Sequence, residues 1–277
     1  MAPGLPIGVN LRSIGVDFAW WVESARRLEA AGYEGVYCWD HFVSRGDRTS
    51  PALEAWTTLT AVAARTERIG IGTFVANVMN RHPSVLARMA ATLQEVSAGR
   101  LWMGIGIGGH PAEHAAYGIP FPPAPERAAR LEEAVAVLRA LWTGGPVSRP
   151  GTFYPLEDAH AFPRPQPAPP IVIGSDTPKG ARLAARIGDG WTTFGSDLAR
   201  LEPIYREALA AAGRERSRQQ VVVSFEIKRA ETLVGSPWVE DPHAELDRWR
   251  DLGADAAIVM ARTTADVDAL VGAAERW

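Results

Sequence analysis

Short apolar runs alternate with amphipathic stretches along almost the whole chain. The runs occupy residues 6–10, 35–39, 69–75, 101–107, 171–174, 190–193, 221–227 and 256–259. They are apolar at consecutive positions and often β-branched, the pattern of strands covered on both faces. Between them, Leu86, Met89, Ala90, Leu93 and Val96 recur at helical spacing behind Pro83, which suits a first helical turn. Leu131, Ala134, Val135, Leu138 and Trp142 mark another helix, and Leu198, Leu201, Tyr205, Ala208 and Ala212 a third, its start expected to be delayed by Pro203. Val267, Leu270, Val271 and Ala274 form the last stripe, introduced by Thr263 or Thr264 as a cap. Eight strands alternating with helices predict an α/β chain closed into a TIM (β/α)8 barrel. A doubly wound open sheet is the competing arrangement.

One segment breaks the alternation. Residues 143–170 (TGGPVSRPGTFYPLEDAHAFPRPQPAPP) hold eight of the 21 prolines, so they form neither an interior helix nor a central strand. The GTFYPL core is expected to make a short edge hairpin, and PRPQPAPP to be extended. The segment lies between the fourth helix and the fifth strand, where the barrel is incomplete on either side. It therefore reads as an insertion within a single domain over residues 1–277.

Composition narrows the function classes. The 277 residues are 47% hydrophobic, ample for a core, and carry a formal charge of −3, which shows no basic excess and argues against nucleic acid as a partner. No window reaches ~18 uninterrupted apolar residues, so no membrane partner is expected. The opening MAPGLPIGVN lacks a basic region followed by a long apolar core, which makes the cytoplasm the expected location. Cys38 is the one cysteine, excluding an internal disulfide and cysteine-based metal sites.

Candidate chemistry clusters where the predicted strands end, because the functional face of a parallel barrel lies at the carboxyl ends of its strands. The second run, GVYCWDHF, stops at Asp40 and His41. A histidine beside a carboxylate can be oriented for proton transfer; the competing reading is a structural aspartate capping the loop, with the ring packed against it. The third run and its exit, GTFVANVMNRHP, carry Thr73, Asn77, Asn80, Arg81 and His82 on the same rim, either as site groups or as ordinary loop and helix-start chemistry. The stretch GIGIGGHPAEH contains G-x-G-x-x-G, but its first glycines lie inside a strand and Pro111 follows at once, so a dinucleotide fold is rejected. Glycines there, including Gly108 and Gly109, suit the approach of something flat to the backbone. His110, Glu113 and His114 lack metalloenzyme spacing, and no metal is expected. In IVIGSDTPKGARLAARIGDGWTTF, a strand ends at Gly174 and Ser175, and Thr177 and Pro178 open a helix. Free amides at such a start favour an anion such as phosphate, although Asp176 opposes it; a plain strand–helix connection is the alternative.

Together these segments resemble the bacterial-luciferase-like superfamily of flavin- and deazaflavin-dependent oxidoreductases. The carriers are GYEGVYCWDHF, EAWTTLTAVAARTERIGIGTFV, RHPSVLARMAATLQEVSAGRLWMGIGIG and PPIVIGSDTPKGARLAARIGDGW, in order over most of residues 1–191. The resemblance implies a barrel with the cofactor's tricyclic ring in its mouth, and coenzyme F420 as that cofactor, with FMN the alternative. It implies that Asp40 and His41 contact the cofactor and that His41 moves the proton, oriented by Asp40. Thr73, Phe74 and Val75 would buttress the ring, with a non-proline cis peptide at Phe74–Val75. Gly174, Ser175, Asp176 and Thr177 would hold the phosphate, with Trp191, Thr192 and Thr193 alongside. A small organic substrate would enter near Asn10, Trp56, His110 and Glu113, and family analogy suggests a homodimer. Gly109 and Ala112 stand where the deazaflavin sugar-phosphate dehydrogenases carry a glutamate and an asparagine, and Arg45 where they carry a tryptophan, so that substrate is not implied. The expected function is F420-dependent hydride transfer. The rivals are an FMN-dependent monooxygenase, a non-catalytic flavin-binding protein, and a metal-dependent hydrolase using Asp40, His41, His110 and His114.

Overall fold

The computed structural model describes residues 6–225 and 232–276. Strand and helix alternate from β1 (Ile7–Leu11) and α1 (Phe18–Ala30) through β2 (Gly35–Cys38), α2 (Ala55–Ala63), β3 (Gly70–Asn77), α3 (Pro83–Val96) and β4 (Leu101–Gly106). Two helices follow, α4 (Pro111–Tyr117) and α5 (Ala124–Leu141), and then a hairpin of β5 (Val147–Arg149) and β6 (Leu156–Ala159). The alternation resumes with β7 (Ile171–Gly174), α6 (Pro178–Ile187), β8 (Gly190–Phe194), α7 (Gly195–Ala211) and β9 (Gln220–Phe225). The helices α8 (Pro237–Glu240) and α9 (Pro242–Asp251), strand β10 (Ala256–Ala261) and helix α10 (Thr264–Ala274) complete it. Every predicted strand forms; of the seventh, residues 226–227 lie outside the described residues.

The eight long strands close into one parallel barrel, ordered β1-β10-β9-β8-β7-β4-β3-β2. The open-sheet alternative is thereby excluded. Closure is in register, with Ile7 opposite Ala257 and Leu11 opposite Ala261. Most of the core lies between the strands and the outer helices, where Trp21, Leu59, Leu86, Leu138, Trp191 and Leu270 are buried. A smaller cluster fills the barrel itself: Tyr37, Trp102, Val172, Val222, Ala256 and Ile258, with Phe74 against them. Tyr37 lies at 5.1 Å from Trp102, edge to face, and Trp102 Nε1 donates to Gln220 Oε1 at 2.7 Å. The Tyr37 ring fits because its strand neighbours carry no side chain. A Cβ at Gly72 would stand 2.9 Å from it and 2.2 Å from the Trp102 carbonyl oxygen. This aromatic layer floors the barrel, so its mouth is a cup rather than a channel.

Local expectations fare unevenly. Thr263 is the cap of α10, with a reciprocal capping box to Asp266. Pro203 does not delay α7; it sits inside the helix, whose buried Leu198, Leu201, Tyr205 and Leu209 supply packing that outweighs the missing N–H. The hairpin in residues 143–170 forms a separate two-stranded sheet and not a barrel edge, and of GTFYPL residues 151–155 are its connection while Leu156 opens β6. Glu133 of α5 explains this: its carboxylate accepts from the amides of Thr152 (3.2 Å), Phe153 (3.1 Å) and Tyr154 (2.6 Å), holding the connection against that helix. Among the described residues no helix is long and apolar enough to cross a membrane.

At the closed end of the barrel, Arg100 ties two loops together. Its guanidinium donates to the carbonyls of Ala63 (2.8 Å), Thr66 (3.0 Å), Ile69 (2.7 Å) and Ser97 (2.6 Å) and to Thr66 Oγ1 (3.0 Å). Arg100→Met removes these donors together and is expected to lower the unfolding free energy by about 3 kcal/mol. Urea denaturation checks this, and a loss below about 1 kcal/mol would contradict it.

Candidate active site

The strand ends surround a cavity of about 1060 Å³. Its wall includes Asn10, Trp39, Asp40 and His41 on one side, Phe74, Val75, Gly108 and Gly109 behind, and Gly174, Ser175, Asp176, Thr177, Thr192 and Thr193 on the other. The sequence therefore places most of its candidates around one space.

Asp40 and His41 are chain neighbours in different networks. Asp40 is buried, and its carboxylate accepts from both Arg81 amino groups, at 2.6 and 2.9 Å, and from the Asn77 amide at 2.9 Å. Arg81 also reaches Glu54 Oε1 at 3.1 Å, and Glu54 caps α2 through the amides of Trp56 and Thr57. Burial opposes the Arg81 charge, yet the bonds and charges of Asp40 and Glu54 outweigh it and hold its pKa above the usual value. Asp40 thus pins β2, β3 and α2 together and does not orient His41.

That task falls to Glu113 of α4. Its Oε2 lies 2.9 Å from His41 Nδ1, and its Oε1 accepts from the amides of Phe42 (2.5 Å) and Val43 (3.1 Å). Burial alone would raise the Glu113 pKa, but the His41 hydrogen bond, the Phe42 amide and the His41 charge bring it down to about 2. A carboxylate carries no proton, so Nδ1–H of His41 is the donor and Nε2 is left for exchange. His110 stands beside this pair, its ring 5.9 Å from that of His41 and nearly perpendicular, with Nδ1 3.7 Å from Glu113 Oε2.

Several expected residues lie elsewhere. Trp56 is fully buried in the core on α2 and does not line the cavity, because the face of α2 that carries it packs inward. Thr73 is buried with its hydroxyl donating to the Gly104 carbonyl at 2.7 Å. Trp191 points away from the cavity, stacks on Tyr205 and donates to the Ser175 carbonyl at 3.0 Å, bracing the strand end from outside. Glu113 acts behind His41, not as a lining group. Asn10 lines the cavity, but its amide serves Tyr37 O (3.0 Å) and Trp39 Nε1 (2.9 Å).

The four residues of the hydrolase alternative are not gathered. Asp40 is held by Arg81, and His114 is buried with Nε2 accepting from Asn77 Nδ2 at 2.7 Å. Ligand atoms of His41, His110 and Glu113 do lie within 4.8 Å of one another, but both Glu113 oxygens already serve the His41 loop.

The far side of the cavity has a different character. Thr177 caps α6 by accepting from the Gly180 amide at 3.1 Å, and Ser175 Oγ lies 3.3 Å from Thr177 Oγ1. Next to them, Thr192 Oγ1 and Thr193 Oγ1 are buried and have no partner among the described residues. Unpaired buried hydroxyls on a cavity wall are a standing cost that a polar ligand removes. Between the two sides, the Phe74–Val75 peptide is cis, as expected, and the pairing of β3 with β4 shifts register there. Val75 projects against Gly106 and Gly174, where an added Cβ would come within 3.1 and 3.0 Å of its methyl groups. Arg12, Arg45 and Arg262 also line the cavity, and sequence reasoning missed all three as site residues.

The sequence profile of the luciferase-like monooxygenase family matches residues 7–232. The F420-dependent glucose-6-phosphate dehydrogenase of Microbacterium testaceum is 37% identical over 206 residues, covering 72% of this chain and 60% of that protein. Its namesake from Kineococcus radiotolerans is 34% identical over 257 residues, covering 89% of this chain and 73% of that protein. The chain thus spans about 60% of the length of the Microbacterium relative. Among solved structures, an F420-dependent secondary alcohol dehydrogenase in complex with an F420-acetone adduct superposes with a TM-score of 0.84 at 22% identity, over 99% of this chain and 98% of that one. That likeness is one of fold.

The low pKa of Glu113 makes a pH prediction. A group whose folded-state pKa lies below its ordinary 4.5 stabilises the fold above that value, and the contribution fades as pH falls from about 4.5 towards 2. Thermal melts at pH 7 are therefore expected to show Glu113→Gln less stable than the parent, with the gap narrowing by pH 3 and closing only as pH falls through about 2. A gap of constant size across that range would contradict the assignment.

Proposed function

The chain belongs to the luciferase-like monooxygenase family, and from that footing we propose that it is an oxidoreductase that binds coenzyme F420 in the barrel mouth and exchanges a hydride with a small organic substrate. The names of its relatives support the cofactor. The observation that carries the reading is the pair of buried, unpartnered hydroxyls at Thr192 and Thr193, beside Ser175 and Thr177 and across one cavity from His41. They supply donors for a phosphate-bearing tail. Phe74, Val75, Gly108 and Gly109 supply a low wall against which a flat ring can lie. The residues present thus fit the group.

When bound, the deazaflavin supplies the hydride chemistry. The protein positions the reactants and handles the proton. His41, fixed through Nδ1 by Glu113, takes or gives that proton at Nε2. Asp40 acts at one remove: with Arg81 it fixes the strand end from which His41 projects. The aromatic floor of Tyr37 and Trp102 keeps water from entering below. The same reading takes the chain as one barrel domain with residues 143–170 inserted, cytoplasmic, homodimeric, and without nucleic acid as a partner at a net charge of −3.

Titrating apo protein with F420 and with FMN, followed by tryptophan fluorescence, tests the cofactor. F420 is expected to bind at micromolar concentration, and the double variant Thr192→Val, Thr193→Val to bind it about tenfold more weakly. Tight FMN binding with none of F420 overturns the choice in favour of a flavin enzyme. His41→Ala is expected to keep F420 affinity and slow turnover about 100-fold; unchanged turnover removes His41 from the reaction.

A further inference from the structure

Cationic side chains collect on one sector of the cavity rim. Arg12 follows β1 directly, and Arg45 lies on the loop after β2; the two strands are paired neighbours, with Asn10 opposite Tyr37. Neither guanidinium forms an ion pair among the described residues, whereas the carboxylates around them are engaged elsewhere. Asp40 is closed by Arg81 and Glu113 by His41 and two amides. Asp47 is occupied by Thr49 and Ser50, and Asp17 caps α1 through the Trp20 amide. The other lining carboxylate among the described residues, Asp176, stands beyond β7 among the hydroxyls. Arg262 lines the same sector, with its Nε on Met260 Sδ at 3.0 Å. Arg12 and Arg45 thus set positive charge, without an ion partner among the described residues, on the rim beside His41. A concave wall of low polarizability focuses such a field into the cavity. The field reaches the catalytic corner: burial first, and the Arg45 charge after it, hold His110 below the ordinary imidazole range.

We propose that the substrate of this site is an organic acid, whose carboxylate is held by Arg45 and Arg12 while its reacting carbon lies beside His41. The proposal rests on the oxidoreductase reading above and adds the substrate's charge class. Guanidinium matches a planar carboxylate with two parallel hydrogen bonds, so the pair fixes orientation as well as charge. An oxyanion on this rim has two sources, the substrate or the acidic tail of the deazaflavin. The hydroxyl-lined sector at Ser175, Thr177, Thr192 and Thr193 is already suited to the tail, which leaves the arginines for the substrate.

The experiment compares glycolate, lactate, malate, mandelate and 3-hydroxybutyrate with their primary amides. Binding to apo and F420-loaded protein is measured by calorimetry, and F420 affinity is measured in parallel. At least one acid is expected to bind about tenfold tighter than its amide. Arg45→Met and Arg12→Met should each erase most of that preference, Arg45→Lys should keep most of it, and F420 affinity should stay within about twofold. Arg45 is an exposed loop residue, so its variants keep the fold intact for the comparison. Equal binding of every acid and its amide overturns the proposal. So does a preference that survives Arg45→Met, or a loss confined to F420 affinity, which assigns the arginines to the tail. An acid preference without any F420 binding keeps the anion site and removes the cofactor reading, so the two failures are distinguishable.

Discussion

Pairing of β1 with β10 places every chemical group of the site. An open parallel sheet would expose two unpaired edges and spread its strand ends along a line. Pairing Leu11 with Ala261 in register bends that line into a ring, so residues at chain positions 10, 41, 75, 108, 175, 193 and 262 face one another. Closure alone would leave a tube, but Tyr37, Trp102 and the Gln220 contact of the Trp102 indole block its lower half. The result is a cup whose wall, among the described residues, is built from strand ends and the loops that follow them.

Within that cup, two carboxylates of the same chemistry have been given opposite duties by their neighbours. Asp40 faces a guanidinium that it binds with both oxygens, an arrangement that fixes geometry and commits the carboxylate to the fold. Glu113 faces an imidazole and two amides, so it holds a group that can itself change protonation. Substituting Arg81 leaves the buried Asp40 charge unmatched, and substituting Asp40 leaves Arg81 with Glu54 alone, so either change damages the fold. Substituting Glu113 frees the ring of His41 and the loop that carries it. Positioning therefore works at two levels, with Arg81 and Asp40 setting the strand end and Glu113 setting the ring.

The barrel was legible because strand and helix are local. Runs such as 171–174 and 256–259, apolar at consecutive positions, needed only their own residues to be read, and the polar residues that follow them fell on the rim by topology alone. The resemblance located the Phe74–Val75 peptide, which no spacing could have done. What escaped were contacts that depend on which elements meet across the ring. Asp40 precedes His41 in the chain, which made it the obvious orienting group, yet the partner that reaches the ring lies 72 residues away on α4. Chain position leaves Arg81 either a site group or a loop group, and its bond to Asp40 depends on β3 lying beside β2. The resemblance implies Trp56 and Trp191 beside the site. Whether an aromatic faces inward or outward depends on helix phase and strand parity, and both rings pack outside the cavity. The arginines lining the mouth escaped for a different reason: in a chain with 29 basic residues, no single one stands out until closure brings Arg12, Arg45 and Arg262 to one cavity.

The cup is also polarised across its width. From β7 and β8 come hydroxyls and a helix start, groups that satisfy an anion without carrying charge, and the Asp176 carboxylate stands among them. From β1 and β2 come an imidazole and guanidinium groups, which carry charge or can acquire it. Val75 and the glycines opposite it separate the two sectors with a surface that has no polar side chain. A ligand that is polar at one end, flat and apolar in the middle and reactive at the other meets complementary chemistry in only one orientation. Turning it round would set its apolar body against charge and leave the Thr192 and Thr193 hydroxyls unsatisfied, a cost of about 1–3 kcal/mol for each buried group. Orientation in this site is thus fixed less by any single contact than by the mismatch that every other placement would create.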